Sequence, residues 1–404
     1  MEEWKEYKIG DVCKIKRGAS PRPIQQFLSN KGMPWVKIAD ATATDSMFLD
    51  CTKEYIIEEG VSKSVTVLPG TLIVSNSATP GLPKVIRIKA CVHDGWLVIS
   101  DFKGVLRDFM YYKFVDIRRY LSNQANGSVF QNLKTDIVRE FSIKIPSLKT
   151  QEEIVSILKS LDDKIENNRR INENLEQQAQ ALFKSWFVDF EPFKDGEFVE
   201  SELGMIPKGW RVEILGDVCK CILGGTPSRN KEEYWNGNIA WINSGEVNEF
   251  RIVKPSECIT EEGLKHSATK LLPKKTTVLA ITGATLGQVS LLEIDSCANQ
   301  SVIGVLESDN IPYEFIYPLI NVKITELCSH MTGGAQQHIN KNNVEQLNIV
   351  LPAENVMTEY KEKTKSIYSQ ITNCCFESRR LAELRDTLLP RLMSGELKVD
   401  KINL

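Results

Sequence analysis

Two kinds of apolar patterning alternate along the chain. Over residues 1–148, and again over 208–353, apolar residues come in short runs such as Thr71–Val74 and Thr277–Ile281, separated by Gly, Pro, Asn and Ser. Runs of that length broken by turn residues predict short strands and loops. Each stretch closes on an alternating segment that ends in proline, Phe141-Ser-Ile-Lys-Ile-Pro146 and Leu347-Asn-Ile-Val-Leu-Pro352. Beyond each proline the spacing becomes helical. Thr150-Gln-Glu-Glu153 predicts a capping box, the hydroxyl and Glu153 each satisfying one orphan amide. Apolar residues then step by four and three through Ile154, Leu158, Leu161 and Ile165, and through Leu175, Ala179, Leu182 and Trp186, with Asn168 and Asn172 between them. A second series runs Tyr360, Thr364, Ile367, Ile371, Cys374, Ser378, Leu381, Arg385, Leu388, Leu392. Both follow the a/d spacing of a coiled coil and both turn polar midway, which predicts two long helices that pair with each other. A helix of about 40 residues rises roughly 60 Å. Pro390 is expected to bend or end the second helix and Gly395 to stop it.

The two strand-rich stretches are one sequence used twice, offset by 206 residues. Trp4, Gly10, Asp11, Val12, Cys13 and Lys14 return as Trp210, Gly216, Asp217, Val218, Cys219 and Lys220. The same offset carries Gly18, Pro21, Trp35, Ala78, Thr79, Gly81 and Cys91 onto Gly224, Pro227, Trp241, Ala284, Thr285, Gly287 and Cys297. Repetition over this length marks a duplicated domain rather than a solenoid unit. The chain therefore divides into a first domain over 1–148, a first long helix over 149–190, a linker over 191–207, a second domain over 208–353, and a second helix with its tail over 354–404. The predicted fold is α+β: two similar mixed domains separated by two antiparallel coiled-coil helices, with pseudo-twofold symmetry.

Composition is that of an ordinary globular chain, 42% hydrophobic and 25% charged. No apolar run is long enough to cross a bilayer and no amino-terminal signal is recognisable, so a cytoplasmic protein with reduced thiols is expected. The ten cysteines and four histidines show no zinc-ligand spacing, so no metal is expected. Net charge is −3 overall, but residues 1–148 carry +5 and 208–353 carry −3. Only the first domain is basic as a whole, and nucleic-acid binding by the second requires a locally basic face.

Catalytic motifs are absent: there is no phosphate-binding GxxxxGK[ST] loop, no GxSxG, no HExxH and no Asn-Pro-Pro-aromatic tetrapeptide. The copies share loop chemistry instead. Gly18-Ala-Ser-Pro21 and Gly224-Gly-Thr-Pro227 place Ser20 and Thr226 in turns that are either phosphate-facing, through their backbone amides, or plain tight turns with a solvated rim. Lys14, Lys16, Arg17 and Arg22 surround the first turn; Lys220, Ser228, Arg229 and Lys231 surround the second. Ser75, Asn76 and Thr79, like Thr282 and Thr285, follow apolar strands, which makes them either polar loops that reach base edges or ordinary strand-end turns. Gln131, Gln336 and Gln337 follow glycine turns, with Lys134 nearby, and Gln is able to bond adenine bidentately. Trp35 and Trp241 lie inside apolar runs, where core packing is expected over base stacking.

Four features together resemble the specificity (S) subunit of Type I DNA restriction–modification systems. They are the globular–helix–globular–helix order, the G-x-[ST]-P turn before a Trp, the G-x-x-x-Q to apolar-Pro ending, and Leu388-Leu-Pro-Arg-Leu-Met-Ser-Gly-Glu396. The resemblance spans the whole chain. It implies two target-recognition domains that each read half of a split, asymmetric double-stranded DNA sequence, and a helical spacer that receives two methyltransferase (M) subunits, sometimes with restriction (R) subunits. It also implies a non-catalytic chain, with S-adenosylmethionine and ATP/Mg held by the partners. The apolar stretches Leu388–Met393 and Leu182–Trp186 are then expected to dock M. Two other readings are a coiled-coil scaffold that binds no DNA and a diverged single-chain methyltransferase or nuclease.

Overall fold

The computed structural model describes residues 4–124, 132–329 and 338–399. It resolves into two units, Met1–Glu166 with Arg380–Leu404, and Asn167–Arg379. Each unit therefore holds one globular domain together with part of both long helices, Leu148–Phe187 and Glu354–Met393.

In the first unit, Lys14–Arg17, Trp96–Ser100, Leu72–Ser75, Pro83–Ile86 and Phe48–Leu49 form one sheet in that order, antiparallel except for its last pair. A second sheet runs Leu28–Ser29, Glu54–Ile56, Met33–Val36, Ala90–Val92, Val65–Val67. The alternating segment ending at Pro146 is a strand, Ser142–Ile145, and it pairs antiparallel with Lys5–Lys8. The main core lies between the first sheet, the helix Arg107–Asn123 and the long helices, and it contains Ile154, Leu158 and Leu161 of the first helix.

Leu388, Leu389, Leu392 and Met393 of the second helix belong to that same core. This corrects their assignment as a docking surface, because their apolar faces are covered by the first domain. Lys113, itself buried, donates from Nζ to the Met393 carbonyl at 2.9 Å. Where the two helices meet, Arg385 Nη1 donates to Asp162 Oδ1 at 2.6 Å and the Tyr112 hydroxyl to Asp162 Oδ2 at 2.7 Å. Pro390 neither ends nor interrupts the helix, which continues to Met393; Gly395, at φ +76°, provides the stop. The first helix starts two residues before the expected capping box, at Leu148, with the Ser147 hydroxyl accepting from the Thr150 amide at 3.3 Å.

Among the described residues the second unit repeats the plan with fewer strands. Its four-stranded antiparallel sheet is ordered Cys221–Leu223, Val302–Val305, Thr277–Ala280, Val289–Leu291. Arg211–Ile214 pairs with the closing strand Asn348–Leu351. The predicted linker contains a β-hairpin, Phe198–Ser201 against Gly204–Pro207. Trp186, like Phe183 and Phe187, is buried among Tyr360, Phe315 and Trp210, with Leu182 packed at the edge of the cluster, which again corrects a docking surface into core.

Within this unit the helices run antiparallel: Asn168 Nδ2 donates to Glu377 Oε2 at 2.8 Å, Asn172 Nδ2 to Cys375 Sγ at 3.4 Å, and Trp186 lies 5.9 Å from Tyr360. Both asparagines are buried, as a polar mid-seam requires. The rest of the seam agrees, with Ala179, Tyr360, Thr364 and Ile371 buried and Leu175 and Ile367 half-buried. The domain itself is tied to the first helix by Arg251, whose fully buried guanidinium donates to Glu176 Oε2 at 2.6 Å and to the Tyr317 hydroxyl at 3.1 Å.

All ten cysteines are free thiols. Burial pushes the Cys219 and Cys221 thiols up to about 12, so neither is a ready nucleophile. Among the described residues no helix is long and apolar enough to cross a membrane.

Candidate nucleic-acid interface

At one end of the first sheet four chain segments converge. The turn after Lys14–Arg17 is anchored by Gly18 N donating to Trp96 O at 2.8 Å and Ala19 N to Val92 O at 3.2 Å. The loop after Leu72–Ser75 joins it through Asn76 N donating to Gly95 O at 2.8 Å, and the segment at Asn132–Leu133 through Leu133 N donating to Asn76 O at 2.7 Å. Gly18 is obligatory here, because a Cβ would stand 2.1 Å from the His93 carbonyl oxygen.

Asp94, at the tip between two strands, organises the cluster. Its Oδ1 accepts from Ser20 Oγ at 2.6 Å and its Oδ2 from Arg22 Nη2 at 3.1 Å. Its backbone carbonyl accepts from Arg17 Nε at 2.8 Å and Asn76 Nδ2 at 3.1 Å. Partial burial raises the carboxyl, but the Ser20 hydroxyl, its own amide, His93 and Arg22 outweigh that and hold it below the usual range.

The second unit builds the same cluster from equivalent positions. Gly224 N donates to Val302 O at 3.0 Å and Gly225 N to Ala298 O at 2.8 Å, and a Cβ on Gly224 would again stand 2.1 Å from a carbonyl, that of Asn299. Thr226 donates to Gln300, which occupies the position equivalent to Asp94. Arg229 forms a two-pronged pair with Glu257, Nη1 to Oε1 and Nη2 to Oε2, both at 2.7 Å, with its guanidinium 3.6 Å from the Trp235 ring centroid. Lys231 donates to the Tyr234 hydroxyl at 2.8 Å.

One difference between the copies falls inside the cluster. Gly81 N donates to Ser75 O, and Gly287 N to Ala280 O, so the offset is 206 at the glycines and 205 at the strand ends. The loop in the second unit is thus one residue longer, and the constant offset inferred from sequence slips here. The two loops turn differently: Ala78 takes φ +58° in one, Gly283 φ +75° in the other.

The structure separates the candidate residues. Arg17, Ser20 and Arg22 meet around Asp94, and Thr226, Ser228, Arg229 and Lys231 lie along the equivalent turn. Lys14 sits at the far end of its strand, 3.7 Å from Asp101. Lys16 is exposed on the same strand, Lys220 is exposed before the equivalent one, and Lys134 is exposed just before the helix Thr135–Glu140. Ser75 and Asn76 are corrected: both are buried, and the Ser75 hydroxyl donates to Thr79 O while accepting from Leu82 N at 2.9 Å, so they brace the loop from below. Thr79 is half-buried with its hydroxyl turned inward; Thr282 and Thr285 are half-buried around the short 3-10 turn Gly283–Thr285. Gln131, Gln336 and Gln337 lie outside the described residues. Trp35 and Trp241 are core residues, each packed on the cysteine of the neighbouring parallel strand, Cys91 or Cys297.

Asp94, Gln300, Glu257 and Trp235 were not singled out from sequence. Asp94-Gly95 between apolar runs is a hairpin-type turn signal that marks one of them; the other three become visible only when the turns are folded.

A family described as the Type I restriction modification DNA specificity domain matches this chain twice, at residues 1–177 and 207–384. The Type I restriction enzyme MjaIX specificity subunit of Methanocaldococcus jannaschii is 28% identical, covering 99% of this chain and 95% of its own. The HindI specificity subunit of Haemophilus influenzae is 26% identical, covering 98% of this chain and all of its own. A crystal structure of a Type I restriction–modification S subunit from M. genitalium shares the fold, with a TM-score of 0.58 at 14% identity over 97% of this chain and 96% of that one. The repeated domain is one of DNA specificity rather than catalysis. The chain belongs to the Type I restriction–modification DNA specificity family and is a specificity subunit that carries both of its recognition domains in tandem.

Proposed function

We propose that each unit reads one half of a split, non-palindromic duplex sequence with its loop cluster, and that the chain thereby places two adenine methyltransferase subunits on opposite strands, with restriction subunits joining the same assembly. S-adenosylmethionine, and ATP with Mg, belong to those partners. The observation that carries the asymmetry is that the clusters are built alike but finished differently. Asp94 stands against Gln300, His93 against Asn299, and a loop of one length against a loop one residue longer. Turns anchored by the same backbone bonds present different polar groups, which is what two unequal half-sites require.

The test is domain exchange with methylation mapping in cells that express this chain and its methyltransferase partner. Replacing residues 1–148 by the first domain of a relative should change one half of the methylated sequence and leave the other half and the gap intact. Alteration of both halves would show that the units do not read independently. Absence of salt-sensitive, sequence-selective duplex binding by the assembled complex would instead favour a scaffold.

A further inference from the structure

The turn following each G-x-[ST]-P motif carries an exposed arginine that is already engaged by a carboxylate. Arg22 pairs with Asp94 at 3.1 Å, and Arg229 with Glu257 at 2.7 Å through both prongs of its fork. The side chains of both arginines are more than half exposed. An ion pair this open to solvent contributes little to folding stability, so stability does not account for its presence twice.

The two acids come from different places. In the first unit the partner is Asp94, on the turn that also holds Ser20. In the second, the equivalent residue is the neutral Gln300, and the acid is supplied by a different strand, Glu257–Ile259. An arginine–carboxylate pair recurs in both turns although neither partner holds the equivalent position, Arg22 corresponding to Ser228, the residue before Arg229. The second arginine also lies over the Trp235 ring, its guanidinium carbon 3.6 Å from the ring centroid, while its side chain stays half exposed. The Arg229 hydrogen bonds hold the Glu257 carboxyl below its usual range, so the partner is a full anion at neutral pH.

We infer that Arg22 and Arg229 are contacts to the DNA phosphodiester backbone, held in the geometry of the bound state by carboxylates that stand in for the phosphate. The inference rests on the loop clusters being the DNA-facing surface. A carboxylate and a phosphodiester both present two oxygens to a guanidinium fork, so Glu257 keeps Arg229 ordered until a phosphate replaces it. Because the exchange trades one exposed anion for another, the arginine gives little affinity for isolated charge. It favours a phosphate that arrives in register with the turn. The contact orients the turn without reading sequence.

The experiment uses the full chain assembled with its methyltransferase subunits and fluorescence anisotropy on two duplexes, one carrying the mapped target and one scrambled, over a series of salt concentrations. Arg229→Ala should weaken both duplexes by the same factor, about threefold to tenfold, and reduce the salt slope by about one. Arg22→Ala should do the same independently. Glu257→Gln should strengthen both duplexes about twofold to threefold, because it removes the competing anion while keeping the fold of the strand. Arg229→Lys, which keeps the charge without the fork, should fall between wild type and alanine and guards against a folding artefact. A changed ratio of target to scrambled affinity in Arg229→Ala would overturn the inference and make the residue a base reader. Unchanged affinity and slope in that variant would overturn it as well. If the wild-type complex itself bound neither duplex in a salt-dependent way, the reading of the loop clusters as the DNA surface would fall, and this inference with it.

Discussion

Ser20 and Asp94 are separated by 74 residues in the chain and by 2.6 Å in the structure, the hydroxyl donating to Oδ1. The bond closes a loop cluster in which neighbouring groups depend on one another's protonation. His93 Nδ1 accepts from Gly95 N at 2.8 Å, so the imidazole must be neutral at that nitrogen, and burial lowers its proton affinity. In the second unit the corresponding residues are Asn299 and Gln300, which do not titrate.

The first recognition cluster should therefore be the acid-sensitive one. Both His93 and Asp94 have lowered folded values. For each, the unfolded state binds the proton more readily, so stability rises with pH and is lost on acidification. The His93 contribution is complete above the ordinary imidazole range and disappears as pH falls through that range; the Asp94 contribution disappears lower, below the ordinary carboxylate range. Footprinting of the assembled complex between pH 8 and pH 5 should show the first half-site weakening before the second, and His93→Gln should flatten the difference. Equal loss at both half-sites would contradict the assignment.

Gly224→Ala should disable one recognition domain without unfolding the unit. The added methyl would stand 2.1 Å from the Asn299 carbonyl oxygen, which forces the turn away from its anchoring bonds. Methylation mapping should show loss of discrimination at one half-site only, with a melting temperature lowered by a few degrees. Retained discrimination at both half-sites would mean that the turn is not part of the reading surface.

Arg251→Met should cost the second unit about 3–5 kcal/mol in urea unfolding, because Glu176 is left without its cation. The double variant Arg251→Met with Glu176→Met should recover much of the loss, since a buried pair replaced by well-packed apolar groups is close to neutral. Equal losses in single and double variants would show that the two groups are not coupled.

The spacer reading makes a geometric prediction. Asn172 of one helix meets Cys375 of the other, so lengthening a single helix would slide the seam past its partner. Matched insertions of four residues, after Ile171 and after Cys375, keep the pairing and add roughly 6 Å of rise. Methylation mapping should return the same half-sites with a gap longer by one or two base pairs. An unchanged gap with activity retained would refute the spacer as a ruler.

The duplication, the two helices and their polar mid-seam were legible because each rests on a period that local chemistry enforces, and Asn168 and Asn172 are buried where the seam places them. The closing strands Ser142–Ile145 and Asn348–Leu351 were legible for the same reason. Burial was harder to read where a period is compatible with two partners. Leu388–Met393 has the apolar spacing of a docking face, and spacing alone does not say whether another chain or the first domain covers it. Ser75 and Asn76 look like loop residues because they are polar after an apolar strand, yet their hydrogen bonds are directed inward. The partners of the turn arginines were not legible, since Glu257 and Arg229 meet through tertiary packing that no local pattern encodes.

Residues 388–393 complete the core of the first unit, and this sets the order in which the protein can mature. The second unit is one continuous stretch, Asn167–Arg379, and can close as soon as it leaves the ribosome. The first unit emerges earlier, but Ile154, Leu158 and Leu161 lack covering residues until Leu388–Met393 have been made, more than 200 residues later. Contacts that span so much sequence form late, and the waiting surface is apolar. A chain that stops short of residue 388 would keep its second unit and leave its first unfinished, exposed to proteases and chaperones.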